Sequence, residues 1–329
     1  MTLPARHTLP PRSLSRRGLG AGALATLMVA SLTACGADSA NQAGASGEKV
    51  SIKHAQGTTE VPKDPKKIVV LDFGALDTLN TLGLADRVAG LPKGGVIPKA
   101  LESYKDDKYA NVGSLKEPDI EAINKIKPDL VIVGFRSAAK YPELAKHFPT
   151  IDITYDAAKV DFYGGVESAA STIGKAVGKE SEVKDKLAEV KQALDASKQK
   201  MPQGAKGMIL MTSAGKVTMH GKDSRFGAIH KDLGITPAIS EVKEAGHGDP
   251  ISFEAVQKAN PDVMFVVDRD AAIGEDGKAA KEVLDNELVR TTTAWKDNKV
   301  VYLDGQRWYL MIHGLDNAKA MLEGATKGL

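Results

Sequence analysis

The chain has 329 residues, with 44 Lys and Arg against 42 Asp and Glu. So even a balance leaves no basic footprint for nucleic acid, and the length accommodates two domains with separate cores. Cys35 is the only cysteine, which excludes an internal disulfide.

Residues 1–35 hold four arginines (Arg6, Arg12, Arg16, Arg17), no lysine and no acid. An apolar run of small residues follows at 18–32 and ends in Leu32-Thr33-Ala34-Cys35. A basic start, a short apolar stretch and small residues before a cleavage point make an export signal, and the run is too short and too rich in Gly and Ala for a membrane span. Ser15-Arg16-Arg17 is similar to a twin-arginine export signal, with Leu19 and Gly20 a loose match behind it, so the export route stays open. Leu-Thr-Ala-Cys is similar to the bacterial lipobox, which makes Cys35 the expected lipidation site and new N-terminus. Gly18-Leu19-Gly20-Ala21-Gly22 imitates part of a dinucleotide loop, but no strand precedes it. Removal of 1–35 leaves 40 basic against 42 acidic residues. Residues 36–48 are small and polar, as suits a flexible tether.

Beyond the tether, strand-like runs lie at 50–52, 68–71, 130–133 and 151–153, with helical patterns between them at about 75–83, 119–126 and 141–147. From about 162 to 200 no strand signal occurs. Val166, Ala169, Ala170, Ile173 and Val177 fall on one helical face, Gly178 is placed to end that helix, and a second helix runs from 180 to about 199 before Pro202. Strand-like runs resume at 208–211, 216–220, 263–267 and 300–303. The pattern predicts an α/β protein: an N-terminal lobe at 49–160, a connecting helix at 161–178 and a C-terminal lobe at 179–329.

One unit occurs twice. Residues 120–136 read IEAINKIKPDLVIVGFR and residues 253–269 read FEAVQKANPDVMFVVDR, at a constant offset of 133. The offset pairs Glu121 with Glu254, Pro128 with Pro261, Asp129 with Asp262 and Arg136 with Arg269. Each copy predicts a short helix, a Pro-Asp turn, a strand apolar on both faces and an arginine at its end. Ligands of open α/β sheets bind beyond such strand ends, so the repeat predicts two lobes that each offer an arginine to one cleft.

Several stretches then support a resemblance that covers essentially all of 49–329. They are Ser224-Arg225-Phe226-Gly227, His247-Gly248-Asp249-Pro250-Ile251-Ser252, Val266-Val267-Asp268-Arg269-Asp270, Val301-Tyr302-Leu303-Asp304 and Trp308-Tyr309-Leu310. The chain resembles the substrate-binding lipoproteins of ferric siderophore ABC transporters, closest to the branch for catecholates of the petrobactin type. The resemblance implies two Rossmann-like α/β lobes joined by a single long helix, the class III periplasmic-binding-protein fold. It implies Arg136, Arg225 and Arg269 along the cleft, and His247 and Tyr309 as iron ligands when the siderophore supplies only four donor atoms. It implies that Glu121 and Glu254 dock the lobes on a membrane permease with its ATPase, that the protein is a monomer, and that iron arrives as cargo with no resident cofactor. Gly305-Gln306-Arg307 departs from the family, where Pro-Glu and an aromatic are usual; it offers Arg307 as a fourth positive charge.

The chemistry of these residue types agrees. A ferric catecholate is an anion, and guanidinium groups stay charged and present several donors to oxygen. Iron(III) favours oxygen donors, and tyrosine and histidine are known iron ligands. Each residue also has an ordinary structural role open to it. The arginines could make strand-end ion pairs, Arg225 could cap a helix at 226–233, His247 could be a solvated loop residue and Tyr309 a core aromatic. Glu121 and Glu254 could serve their helix dipoles. The sequence carries no Walker loop, Gly-x-Ser-x-Gly elbow, Cys-x-x-Cys or His-Glu-x-x-His, so an enzyme is not expected. A receptor for haem, cobalamin or a hydroxamate siderophore on the same fold remains open. So does one for bare zinc or manganese, given His220, His230, His247 and His313 in the second half.

Overall fold

The computed structural model describes residues 48–242 and 248–329. The first lobe starts with an antiparallel hairpin, β1 Lys49–His54 and β2 Gly57–Pro62. It continues through β3 Ile68–Val70, α1 Phe73–Thr81, β4 Val88–Leu91, β5 Ala110–Asn111, α2 Ile120–Ile126, β6 Leu130–Val133, α3 Tyr141–Leu144 and β7 Thr150–Asp152. The last five strands form a wholly parallel sheet in the order β5-β4-β3-β6-β7.

Two helices follow without a strand between them, as the spacing predicts: α4 Phe162–Val177 and α5 Glu180–Lys200. Asp161 caps α4 by accepting from the Gly164 N–H, and Gly178 ends it at φ 68°, a left-handed conformation that glycine adopts without strain. Val166, Ala169, Ala170, Ile173 and Val177 are all buried.

The second lobe comprises β8 Lys206–Ser213, β9 Lys216–His220, α6 Ala228–Lys231, β10 Thr236–Pro237, β11 Asp249–Pro250, α7 Phe253–Ala259, β12 Val263–Asp268, α8 Arg269–Ile273, α9 Ala280–Leu284, α10 Glu287–Arg290, α11 Thr293–Lys296, β13 Val300–Leu303, α12 Gly305–Leu310 and α13 Leu315–Ala325. Its six-stranded sheet runs β11-β9-β8-β12-β13, with β10 also on β8. Unlike the first sheet it is mixed, because β9 reverses against β8. Ala214 (φ 49°) and Gly215 (φ 71°) form the two-residue turn between them; two positive φ angles give the twist that a tight hairpin needs.

Side chains alternate between two cores in each lobe. In the first sheet Ile68, Val70, Leu130 and Ile132 join a large central core, while Val69, Val131 and Val133 face an outer one with Ile123 and Leu144. In the second sheet Ile209, Phe265 and Val267 join the same central core, and Met208, Leu210 and Val266 face another. Burial on both faces explains why these strands read as unbroken apolar runs. The chain's last helix, α13, packs on α5 and also on α1 of the first lobe.

The repeat is structural. The bounds of α2 and α7 lie 133 residues apart, as do the starts of β6 and β12. Asp119 and Ser252 cap the two helices by accepting from Ala122 and Ala255 N–H groups, and Lys127 (φ 54°) and Asn260 (φ 41°) end them in the left-handed region. The aspartate of each Pro-Asp pair then clamps the start of the neighbouring strand: Asp129 accepts from the Lys66 and Lys67 N–H groups at 2.8 and 2.9 Å, and Asp262 from Lys206 N–H at 2.8 Å.

Candidate ligand-binding site

Segments from both lobes line a cleft of about 480 Å³. The first lobe supplies Asp72 after β3, Phe135 and Arg136 after β6, and Thr154 and Tyr155 after β7. The second supplies His220, Asp223, Ser224 and Arg225, and Tyr309, Leu310, Ile312 and His313 from the end of α12 onward.

Local folding explains how the charged residues are presented. Beyond β6 the chain turns sharply: Phe135 sits at φ 47°, rare for a bulky residue. Its N–H donates to Thr154 Oγ1 at 2.8 Å and its ring stacks on His313 at 4.5 Å. The turn sends Arg136 toward the other lobe, where Nη2 donates to the Tyr309 carbonyl at 2.8 Å and the guanidinium lies 4.6 Å from the Tyr309 ring. Arg225 rides on a tight loop. Phe226 is fully buried against His220, and Ser224 Oγ donates back to Gly221 O at 2.7 Å. A Cβ on Gly227 would meet Lys222 O at 2.1 Å, so only glycine fits there. With Phe226 as the plug, Arg225 faces the cleft, its guanidinium 5.3 Å from the Tyr309 ring. It shows open surface to cleft water although protein surrounds it on most sides, and that crowding, together with Arg136, lowers its pKa. Among the described residues it has no hydrogen-bond or ion-pair partner.

Tyr309 is the centre of this cluster. It is 7% exposed. Burial opposes ionisation of its phenol, but Arg269, Arg136 and Arg225 outweigh that and bring the pKa below the ordinary tyrosine value. Arg269 approaches Tyr309 from a side that does not line the cleft. Its Nη1 lies 3.0 Å from Ser213 Oγ and 3.2 Å from both Asp270 Oδ1 and Glu275 Oε2.

The structure thus gathers Arg136, Arg225 and Tyr309 on one cleft, while Arg269 acts on the Tyr309 phenol without lining the cleft. Arg307, read as a fourth cleft charge, turns elsewhere: Nη1 donates to Asn317 Oδ1 at 3.1 Å and Nε lies 3.6 Å from Asp304 Oδ2. Glu121 and Glu254 are exposed in the first turns of α2 and α7, where Glu254's own N–H and Ser252 lower the Glu254 pKa. His247 and Cys35 lie outside the described residues. His220 and His230 are buried, and His230 Nδ1 bonds the Ile235 carbonyl at 2.7 Å. Among the described residues no group of three or more His, Cys, Asp or Glu is placed to hold a metal ion, and no helix is long and apolar enough to cross a membrane.

One feature of the wall has no local sequence signal. His313 Nε2 lies 2.8 Å from Asp72 Oδ1, joining residues 241 apart, and both are buried. Burial pushes the Asp72 carboxyl up, but His313, the Ala75 N–H and Arg136 together hold it below the usual aspartate value. A Cβ on Gly74 would meet His313 Nε2 at 2.5 Å, so that glycine allows the approach. Next to it, Asp77 Oδ2 accepts from Asn317 N–H at 3.0 Å.

A family model for periplasmic binding proteins matches residues 68–307, and the chain belongs to that family. It is 43% identical over 312 residues to the petrobactin-binding protein of Bacillus subtilis, covering 93% of this chain and 96% of that one. The crystal structure of that relative superposes with a TM-score of 0.81 over 85% of this chain and 98% of the other. The periplasmic catecholate-siderophore binding protein of Vibrio cholerae superposes at 0.79 with 34% identity, over 84% of this chain and 99% of the other. The ferric-anguibactin-binding protein of Vibrio anguillarum is 30% identical over 283 residues, covering 85% of this chain and 87% of that one. Each of these relatives is a binding protein named for the siderophore it takes.

Proposed function

We propose that this protein captures a ferric catecholate siderophore outside the cytoplasm and delivers it to an ABC permease for iron uptake. The observation that carries the reading is the cluster of Arg136, Arg225 and Arg269 around Tyr309, two of them facing a cleft between the lobes. Three guanidinium groups attract an oxygen-rich anion and repel a bare cation. The names of the relatives, which bind petrobactin, anguibactin and catecholates, support the same ligand class.

On this reading Arg136 and Arg225 hold the catecholate oxygens. A phenol already shifted toward its anion makes Tyr309 a suitable oxygen ligand for iron(III), and the metal favours the same state. With a four-donor siderophore, Tyr309 and His247 fill the two remaining positions on the metal. Titrating Tyr309→Phe and His247→Ala with a four-donor and a six-donor ferric catecholate tests this. The four-donor complex should lose affinity strongly and, with Tyr309→Phe, part of its visible charge-transfer band; the six-donor complex should change little. Equal losses with both complexes would remove the metal assignment.

Cys35 is the proposed lipid anchor to the outer face of the membrane, reached by general or twin-arginine export, and Cys35→Ser should move the protein to the soluble fraction. A variant that still pellets with membranes would contradict the anchor. Glu121 and Glu254 are the proposed docking contacts to the permease, one on each lobe of a monomer.

A further inference from the structure

The three arginines are not equivalent. Arg136 and Arg225 make no ion pair among the described residues, whereas Arg269 Nη1 is shared by Asp270 and Glu275, each at 3.2 Å. The two acids differ in kind. Asp270 is 5% exposed and accepts from Ala214 N–H at 2.6 Å and Ser213 Oγ at 3.1 Å, so it belongs to the packing of the strand end. The Glu275 side chain is 57% exposed, and Arg269 is its one partner among the described residues.

Its loop is placed by two glycines. Gly274 ends α8 at φ 71°, and a Cβ there would meet Val96 Cγ2 of the first lobe at 2.7 Å. A Cβ on Gly277 would meet Asp270 Oδ2 at 2.8 Å. The 274–279 segment therefore wraps Asp270 beside the first lobe and sets one solvent-exposed carboxylate on the third guanidinium of the cluster.

We propose that Glu275 is a charge-discriminating residue of the ligand site: as counter-ion to Arg269 it offsets part of the cluster's attraction and favours ferric catecholates of low negative charge over those of high charge. The inference rests on the anionic-ligand reading above. Each catechol contributes two negative charges, so iron(III) with two catechols carries one net negative charge and with three catechols carries three. The Glu275 carboxylate acts on the anion through Arg269 and Tyr309, and its charge opposes the second complex more than the first. Because Glu275 is exposed, water and salt screen it, and its influence is modest.

The test uses the full chain, wild type and Glu275→Gln, with iron complexes of a synthetic bis-catecholate and a synthetic tris-catecholate, at low salt and at about 0.5 M salt, where the screening length is only a few ångströms. Glu323→Gln, an exposed glutamate on α13, controls for overall charge. In Glu275→Gln the tris-catecholate affinity should rise roughly twofold to fivefold more than the bis-catecholate affinity, the scale of one partly exposed charge pair. High salt should shrink the difference, and the control should show none. If wild type binds and the ratio is unchanged in Glu275→Gln, the inference alone is overturned. Equal losses for both complexes would also overturn it, since Glu275 would then merely position Arg269. A wild-type chain that binds neither complex overturns the anionic-ligand reading and this inference together.

Discussion

Arg225→Ala separates recognition from folding more cleanly than any other change at the cleft. Arg225 makes no hydrogen bond or ion pair among the described residues. Its contacts with charge or π density are the Tyr309 ring at 5.3 Å, which attracts it, and Arg136, which repels it. Removing it loses about 0.5–1 kcal/mol of cation–π attraction and relieves the repulsion from Arg136. Stability should stay within about 1 kcal/mol, a melting shift of less than about 4 °C. A charge-assisted hydrogen bond to a ligand oxygen is worth about 1.5–3 kcal/mol, so affinity for a ferric catecholate should fall roughly tenfold to a hundredfold. Arg136→Ala is the informative contrast, because it also breaks the 2.8 Å bond to the Tyr309 carbonyl across the lobes; it should lose stability as well as affinity. Fluorescence titration and thermal melts on the same preparations read both quantities. Unchanged affinity in Arg225→Ala, or a loss of stability with binding intact, would refute the assignment of Arg225 to the ligand.

Two further outcomes follow from residues outside the arginine cluster. Burial raises the Asp77 carboxyl to about 6, so the folded chain holds its proton more tightly than the unfolded chain. That contribution to stability is full below the unfolded value and is lost as pH rises through about 6. Between about pH 4 and 6 wild type should therefore lose about 1–3 kcal/mol relative to Asp77→Asn, because a tenfold difference in proton affinity between folded and unfolded chain is worth about 1.4 kcal/mol. Parallel denaturation curves at all pH values would contradict it. Reversing Glu121 and Glu254 together to Lys should abolish uptake in cells and leave ligand affinity intact, and normal uptake would return both residues to their helix-dipole role.

Much of the fold was legible because its signals are local. The caps at Asp119 and Ser252, the left-handed ends at Lys127 and Asn260, and the Pro-Asp clamps act within a few residues, so the repeat in sequence became a repeat in structure. The helical face of α4 was equally local. The reversal of β9 leaves little local mark, since a short apolar strand reads the same in either direction; its cue is Ala214-Gly215 between two strands.

The site was legible as residue types and less so as directions. Arg136, Arg225 and Tyr309 converge on the cleft, but Arg269 keeps its place in the repeat, pairs with Asp270 and Glu275 and does not line the cleft. Arg307 turns to Asn317, a partner ten residues on in the chain that no motif pointed out. The Asp72–His313 contact depends on the last helix packing back on α1, and such a pairing leaves no mark on either local sequence.

The central claim is that this cleft takes an anionic ferric catecholate. Titrating the purified chain against a ferric catecholate, a ferric hydroxamate, haem, cobalamin and free Zn²⁺ or Mn²⁺ tests it directly. Saturable binding of the catecholate, lost in proportion when Arg136 and Arg225 are replaced, with much weaker binding of the others, is the expected result. Tight binding of haem, cobalamin, a hydroxamate or a bare cation, with the catecholate excluded, would contradict it.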